Sequence, residues 1–147
     1  MAQLKKILLV EDNPNDVELT MEALSENNIA NIIDVVSDGE EALDYLRYKG
    51  KFSSRFEGNP GMILLDLKLP KINGLEVLNK IRSYEKLKLI PVVILTSSRE
   101  ESDLIESYRL GVNAYVVKPV DFNEFVKAIR TLGLFWAIIN EPPPECG

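Results

Sequence analysis

The 147-residue sequence contains no histidine. That absence removes Ser-His-Asp and Cys-His catalysis, the zincin motifs and every imidazole metal site. Cysteine is nearly as scarce. Cys146 stands alone, so neither a disulfide framework nor a multi-cysteine metal site can form. Positive charge is outnumbered, with 17 Lys and Arg against 23 Asp and Glu and a net charge of −6. An acidic balance of this kind argues against nucleic acid or an anionic membrane surface as partner. No apolar run approaches membrane-spanning length. Lys5 and Lys6 precede only a short apolar strand, not a secretory signal. A cytoplasmic location is the expectation.

What is present is a regular alternation. Five apolar runs, Ile7–Val10, Ile32–Val36, Met62–Leu65, Val92–Leu95 and Ala114–Val117, alternate with five stretches of helical character. "ILLV", "MILL" and "VVIL" are continuously apolar, as parallel strands covered on both faces should be. Asp34 interrupts the second run, which reads as an edge strand. Asn13-Pro14 supplies a helix cap followed by proline at the first helical position. The helix after it lines up Val17, Met21 and Leu24. The second lines up Ala42, Leu43 and Leu46, and the third opens near Gly74 with Leu75, Leu78 and Ile81. The fourth lines up Leu104, Ile105 and Tyr108 and stops at Gly111. The last begins near Asp121 and carries Phe122, Phe125, Val126, Ile129 and Leu132. This (βα)₅ order predicts an α/β fold, a doubly wound parallel sheet with helices on both faces. Such sheets bind ligands beyond the carboxyl ends of their strands.

Those ends carry the chemistry. The first strand runs into Glu11-Asp12, the third into Asp66, the fourth into Thr96 and the fifth into Lys118. Three carboxylates on one rim repel one another unless a cation or proton lies among them. All-oxygen donors suit a hard divalent ion, with Mg²⁺ the natural choice beside phosphate. Lys118 adds a compact positive charge and Thr96 a hydroxyl donor. A rim of this make-up stabilises negative charge placed on the aspartate at its centre. A phosphoryl group is the fitting substituent, because aspartate is a covalent acceptor in phosphoryl transfer.

The set "LLVEDN", "LLDLKLPKINGLEVL", "VVILTSS" and "GVNAYVVKP" resembles the receiver domain of bacterial two-component response regulators over nearly the whole chain. The resemblance implies a flavodoxin-like five-stranded sheet of order 2-1-3-4-5, with residues 1–131 as receiver and 132–147 as a C-terminal extension. It implies that Asp66 is the phosphoacceptor, that Glu11, Asp12, Asp66 and the Lys68 backbone carbonyl hold Mg²⁺, and that Lys118 pairs with the phosphoryl oxygens. Thr96 and Tyr115 would form the conformational switch. The phosphoryl group would draw Thr96 inward, and Tyr115 would fill the space vacated. Lys68 and Ser98 fall where the resemblance places control of phosphoryl lifetime, and Lys118-Pro119 is a candidate cis bond. The polar loop "RYKGKFSSRFEGNP" and the ending "LFWAIINEPPP" are similar to small stand-alone regulators that accept phosphoryl groups from cyanobacterial-type phytochrome histidine kinases. The chain has no histidine to act as donor itself, so such a kinase is the expected partner.

Taken singly, each feature has a plainer reading. Glu11-Asp12 would complement a helix N-terminus. Asp66 would cap a turn, Thr96 with Ser97 and Ser98 would open a loop, and Lys118 would be a solvated charge. Tyr115 would be a half-buried aromatic. Chance would rarely put all of them at strand ends in this order. Rival functions are a metal-dependent phosphatase, an unphosphorylated interaction module and a nucleotide-binding flavodoxin-like protein. The phosphatase would want a second aspartate where Lys68 stands, and the nucleotide binder a glycine-rich loop after the first strand. Leu134, Phe135, Trp136, Ile138 and Ile139 leave the end of the last helix no polar face, which points to a homodimer through the last helix and tail. "EPPPECG" should be extended. The loop 49–60 reads as a solvated connection, with kinase docking as the alternative.

Overall fold

The computed structural model describes residues 6–26, 32–55, 58–97 and 100–117. Within them the order is β1 (Ile7–Val10), α1 (Pro14–Glu26), β2 (Ile33–Val36), α2 (Gly39–Arg47), a 3₁₀ turn (Gly50–Phe52), β3 (Met62–Leu65), α3 (Gly74–Ser83), β4 (Val92–Thr96), α4 (Glu101–Arg109) and β5 (Ala114–Val117). All five strands are parallel, in the order β2-β1-β3-β4-β5. The expected last helix, the Lys118-Pro119 bond and the tail lie outside the described residues.

The three central strands are buried throughout, which is why their sequences show no polar alternation. Leu8, Val10, Ile63, Leu65, Val92 and Ile94 share one face and pack with Ala42, Tyr45 and Leu46 of α2 and Val77, Leu78 and Ile81 of α3. The residues between them, Ile7, Leu9, Met62, Leu64, Val93 and Leu95, are equally buried and belong to the other face.

Helix starts follow the sequence signals. Asn13 Oδ1 accepts from the N–H groups of Asn15 and Asp16, at 2.9 and 3.3 Å. Asp38 caps α2 through the Glu41 N–H at 2.7 Å, and Asn73 caps α3 through the Glu76 N–H at 3.0 Å.

Four details differ from the sequence reading. β2 begins at Ile33, and Ile32 is exposed. β4 runs on through Thr96, which pairs with Val117. On α1, Leu24 and Thr20 are buried while Met21 is exposed. On α4 the apolar set turns outward: Leu104, Ile105 and Tyr108 are exposed and Ser107 is buried. Periodicity identifies a helix face, but it carries no information about what covers it.

Candidate functional site

The register aligns Val10, Leu65 and Ile94 in one row across the sheet, so the residues that follow leave the strands at one rim. The Glu11 N–H continues the ladder to the Val36 carbonyl at 3.0 Å, and the Asp66 N–H to the Val10 carbonyl at 3.1 Å. These bonds set the two backbones side by side before any side-chain chemistry begins.

One carboxylate oxygen from each of Glu11, Asp12 and Asp66 lies within 4.8 Å of the others. Glu11 and Asp66 are buried, at 3% and 6% exposure, and Asp12 is open to solvent. At that separation and an effective dielectric of ~20, Glu11 and Asp66 repel by on the order of 3 kcal/mol. The Asn13 N–H donates to Glu11 Oε2 at 3.2 Å. The donor set is oxygen only, half buried and open on the Asp12 side, which fits a hard divalent cation that keeps some of its water.

Two donors converge on one oxygen of Asp66. Thr96 Oγ1 donates to Oδ1 at 2.7 Å and the Lys68 backbone N–H at 3.0 Å. Thr96 is fully buried. The sequence reading has a phosphoryl group drawing this hydroxyl inward, yet here it already rests on the carboxylate. Tyr115 stands in the row of Ile94 and packs, half-buried, against the core. The Lys68 ammonium spans to Glu100 Oε1, 3.7 Å away at the entrance to α4. The structure therefore brings Glu11, Asp12, Asp66, Thr96 and Lys68 to one place. Lys118, Ser98 and the apolar tail residues Leu134, Phe135, Trp136, Ile138 and Ile139 lie outside the described residues.

Residues that the sequence reading did not assign to the site hold it in shape. A Cβ on Gly74 would lie 2.4 Å from the Asp66 carbonyl oxygen and 2.5 Å from Leu67 Cα, so α3 starts in direct contact with the backbone of Asp66 and Leu67. The Gly74 N–H donates to the Leu67 carbonyl at 2.9 Å. A Cβ on Gly39 would lie 2.2 Å from the Ile72 carbonyl oxygen, and Lys71 reaches Asp38 at 3.4 Å. The loop between β3 and α3 is thus pinned at both ends. The sequence reading has Gly74 only as a helix start and does not single out Gly39, because the partners of both lie elsewhere in the chain.

The described residues thus combine a strand-end carboxylate cluster on a 2-1-3-4-5 parallel sheet with a threonine hydroxyl on its central aspartate. Residues 7–130 match the response regulator receiver domain, and the chain belongs to that family. Among curated relatives, the probable methanogenesis regulatory protein FilR2 of Methanothrix harundinacea is 41% identical over 93% of this chain and 86% of its own length. Response regulator Rcp1 of Synechocystis sp. is 40% identical over 90% of this chain and 88% of its own. Among solved structures, the bacteriophytochrome response regulator RtBRR is 63% identical with a TM-score of 0.83, covering 97% of this chain and 86% of that one. The phosphorylated cyanobacterial phytochrome response regulator RcpA is 40% identical with a TM-score of 0.79, covering 97% of this chain and all of that one. The Mn²⁺-bound form of Rcp1 is 38% identical with a TM-score of 0.77, covering 96% and 99%.

Proposed function

We propose that this chain is a stand-alone response regulator that accepts a phosphoryl group on Asp66 from a histidine kinase of the phytochrome type. The observation that carries the reading is the convergence of Thr96 Oγ1 and the Lys68 N–H on Asp66 Oδ1 inside a three-carboxylate cluster. The phytochrome assignment is supported by likeness to RtBRR, RcpA and Rcp1.

In the transfer, Asp66 attacks the phosphorus of the donor phosphohistidine in line. The new O–P bond forms as the N–P bond breaks, and the imidazole leaves with the nitrogen electron pair and takes up a proton. Oδ1 accepts the hydrogen bonds from Thr96 and the Lys68 N–H, which hold the carboxylate in place for the attack. Mg²⁺ held by Glu11, Asp12, Asp66 and the Lys68 carbonyl would supply charge compensation for the phosphoryl oxygens. Thr96 sits where its hydroxyl can pass from the carboxylate to a phosphoryl oxygen with little movement. Lys118, next in sequence after β5, is assigned the countercharge, and Ser98 with Lys68 the control of lifetime. The product carries almost two further negative charges. Movement of Tyr115 and α4 then alters a protein-contact surface, and the chain acts as a phosphoacceptor switch with no turnover of external substrate. A homodimer through the last helix and the apolar residues 134–139 completes the proposal, in a cytoplasmic setting. No helix of the described residues is long and apolar enough to cross a membrane.

The test is phosphoryl labelling with a small phosphodonor and Mg²⁺, and then with a phytochrome-type kinase. Wild type should label and Asp66→Asn should not. Equal labelling of the variant would defeat the assignment, and labelling only by unrelated kinases would remove the phytochrome partner. Light scattering with and without beryllofluoride reads the assembly. A monomer in both states would remove the dimer.

A further inference from the structure

Among the described residues, two that are not glycine have a left-handed φ, Tyr48 at 57° and Lys71 at 66°. Tyr48 is the C-cap of α2, where that conformation is common. Lys71 has no helix end to account for it. It follows Pro70 in the loop that leads from Asp66 to α3. A lysine is costlier there than a glycine, because its Cβ crowds the backbone. Such a conformation persists only where the surrounding structure holds it.

The hold comes from the start of α2. The Lys71 ammonium lies 3.4 Å from Asp38 Oδ2, while Asp38 Oδ1 accepts from the Glu41 N–H at 2.7 Å. One carboxylate thus caps α2 with one oxygen and grips the turn with the other. The Asp38 side chain is 14% exposed and that of Lys71 59%, so the ammonium closes over a carboxylate that is mostly shielded from water. Gly39 abuts Ile72, the next residue along the loop. The anchoring helix is itself firm. Ala42, Tyr45 and Leu46 are buried in the core. The Arg55 guanidinium clamps the far end of α2 between two rings, 4.2 Å from the centroid of Tyr45 and 3.8 Å from that of Tyr48, and donates to the Tyr45 carbonyl at 2.6 Å.

We propose, resting on the divalent-cation reading of the carboxylate cluster, that Asp38 and Lys71 are positioning residues for that site. Their ion pair holds Lys71 in the left-handed turn, and the turn sets Asp66 and the Lys68 carbonyl against Glu11 and Asp12. Two of the ligands assigned to the cation, the Asp66 carboxylate and the Lys68 carbonyl, belong to this one loop. The loop is closed by the Gly74 N–H on the Leu67 carbonyl at 2.9 Å. Between Lys68 and Lys71 the backbone has little slack, since Pro70 fixes its own φ and restricts Leu69 before it. A change of conformation at Lys71 therefore passes to Lys68.

Simple charge and positioning give opposite signs for one variant. Lys71→Gln takes a positive charge from the rim, which by itself tightens cation binding. Loss of the turn loosens it. The readout is the Mn²⁺ affinity of the full chain, from the EPR signal of the free ion. Lys71→Gln should bind Mn²⁺ about two- to fivefold more weakly than wild type, within the range of an exposed ion pair. Asp38→Asn, which can still cap α2, should weaken binding to the same extent. The double variant should lose no more than either single one, because both changes break one pair. Lys71→Gly should bind more tightly than Lys71→Gln, since glycine takes up the left-handed turn unaided. Three results would overturn the proposal and leave the cation site standing: Lys71→Gln binding as tightly as wild type or more so, a double variant whose loss is the product of the single losses, or Lys71→Gly no tighter than Lys71→Gln. A wild-type chain that binds no Mn²⁺ would remove the site and the proposal together.

Discussion

Replacing Gly74 with alanine would put a methyl group where the backbone leaves no room. The new Cβ would meet the Asp66 carbonyl oxygen at 2.4 Å and Leu67 Cα at 2.5 Å. Both obstacles are backbone atoms, so no side chain can rotate aside. Either the start of α3 or the acceptor loop must retreat by roughly 1 Å, a forced repacking of a kind that costs about 1–3 kcal/mol. In a chain of this size that lowers Tm by roughly 2–12 °C. The functional effect should be larger than the loss of stability suggests. A displacement of ~1 Å at a reacting group costs up to about 10²-fold in rate, and the Asp66 carbonyl belongs to the residue proposed as the nucleophile. The assay pairs thermal unfolding with the rate of Mg²⁺-dependent labelling by a small phosphodonor. Asn79→Ala, at an exposed position on the same helix, serves as control. Gly74→Ala should label at least tenfold more slowly at a temperature where both variants are fully folded. A folded variant that labels at the wild-type rate would refute the claim that α3 positions the acceptor.

Three further outcomes follow from side chains at a distance from one another. Lys68→Ala breaks the pair with Glu100 and should change the decay rate of the phosphorylated protein while Asp66 remains the acceptor; an unaltered decay removes Lys68 from lifetime control. Tyr45→Phe deletes the hydroxyl that donates to Asp34 Oδ2 at 2.5 Å, and should lower stability by about 1.5 kcal/mol at neutral pH, read by denaturant unfolding. Burial, and then the Asp34 carboxylate, raise the Tyr45 phenol above its ordinary 10.0. Above about pH 10 the unfolded chain therefore releases this proton while the folded chain retains it. Wild-type stability is full below that pH and falls as pH climbs toward the raised value, and the fall should be shallower in Tyr45→Phe. Arg82→Gln removes a guanidinium that donates to four carbonyls, those of Leu110, Lys88, Ile90 and Gly111, at 2.7–3.0 Å. It should cost on the order of 3 kcal/mol, with Arg82→Lys recovering less than half because an ammonium lacks the planar fork; full recovery by lysine would refute that account.

Much of this architecture is legible in the chain because burial on both faces writes itself as unbroken apolar runs. Ile7–Val10 and Met62–Leu65 read directly as strands, and the carboxylates after them share a rim because parallel strands end together. Boundaries fail where apolar character and strand pairing part company. Ile32 is apolar but lies beyond the end of the edge strand, whereas polar Thr96 stays in β4 because Val117 pairs with it. Helix periodicity shows a stripe on α4 but nothing of its surroundings, so Leu104, Ile105 and Tyr108 look like core residues and are exposed. Gly74, Arg82 and Arg55 stay hidden for another reason. Each acts on carbonyls of other segments, and a carbonyl has no signature in an amino-acid sequence.

The central claim is that Glu11, Asp12 and Asp66 form one oxygen-donor site for a divalent cation beside the acceptor. Soaking crystals in Mn²⁺ and mapping the anomalous signal tests it most directly. The account predicts a single strong peak among these three carboxylates, lost in Asp12→Asn. A map without a peak there, or one in which the peak survives that substitution, would contradict it.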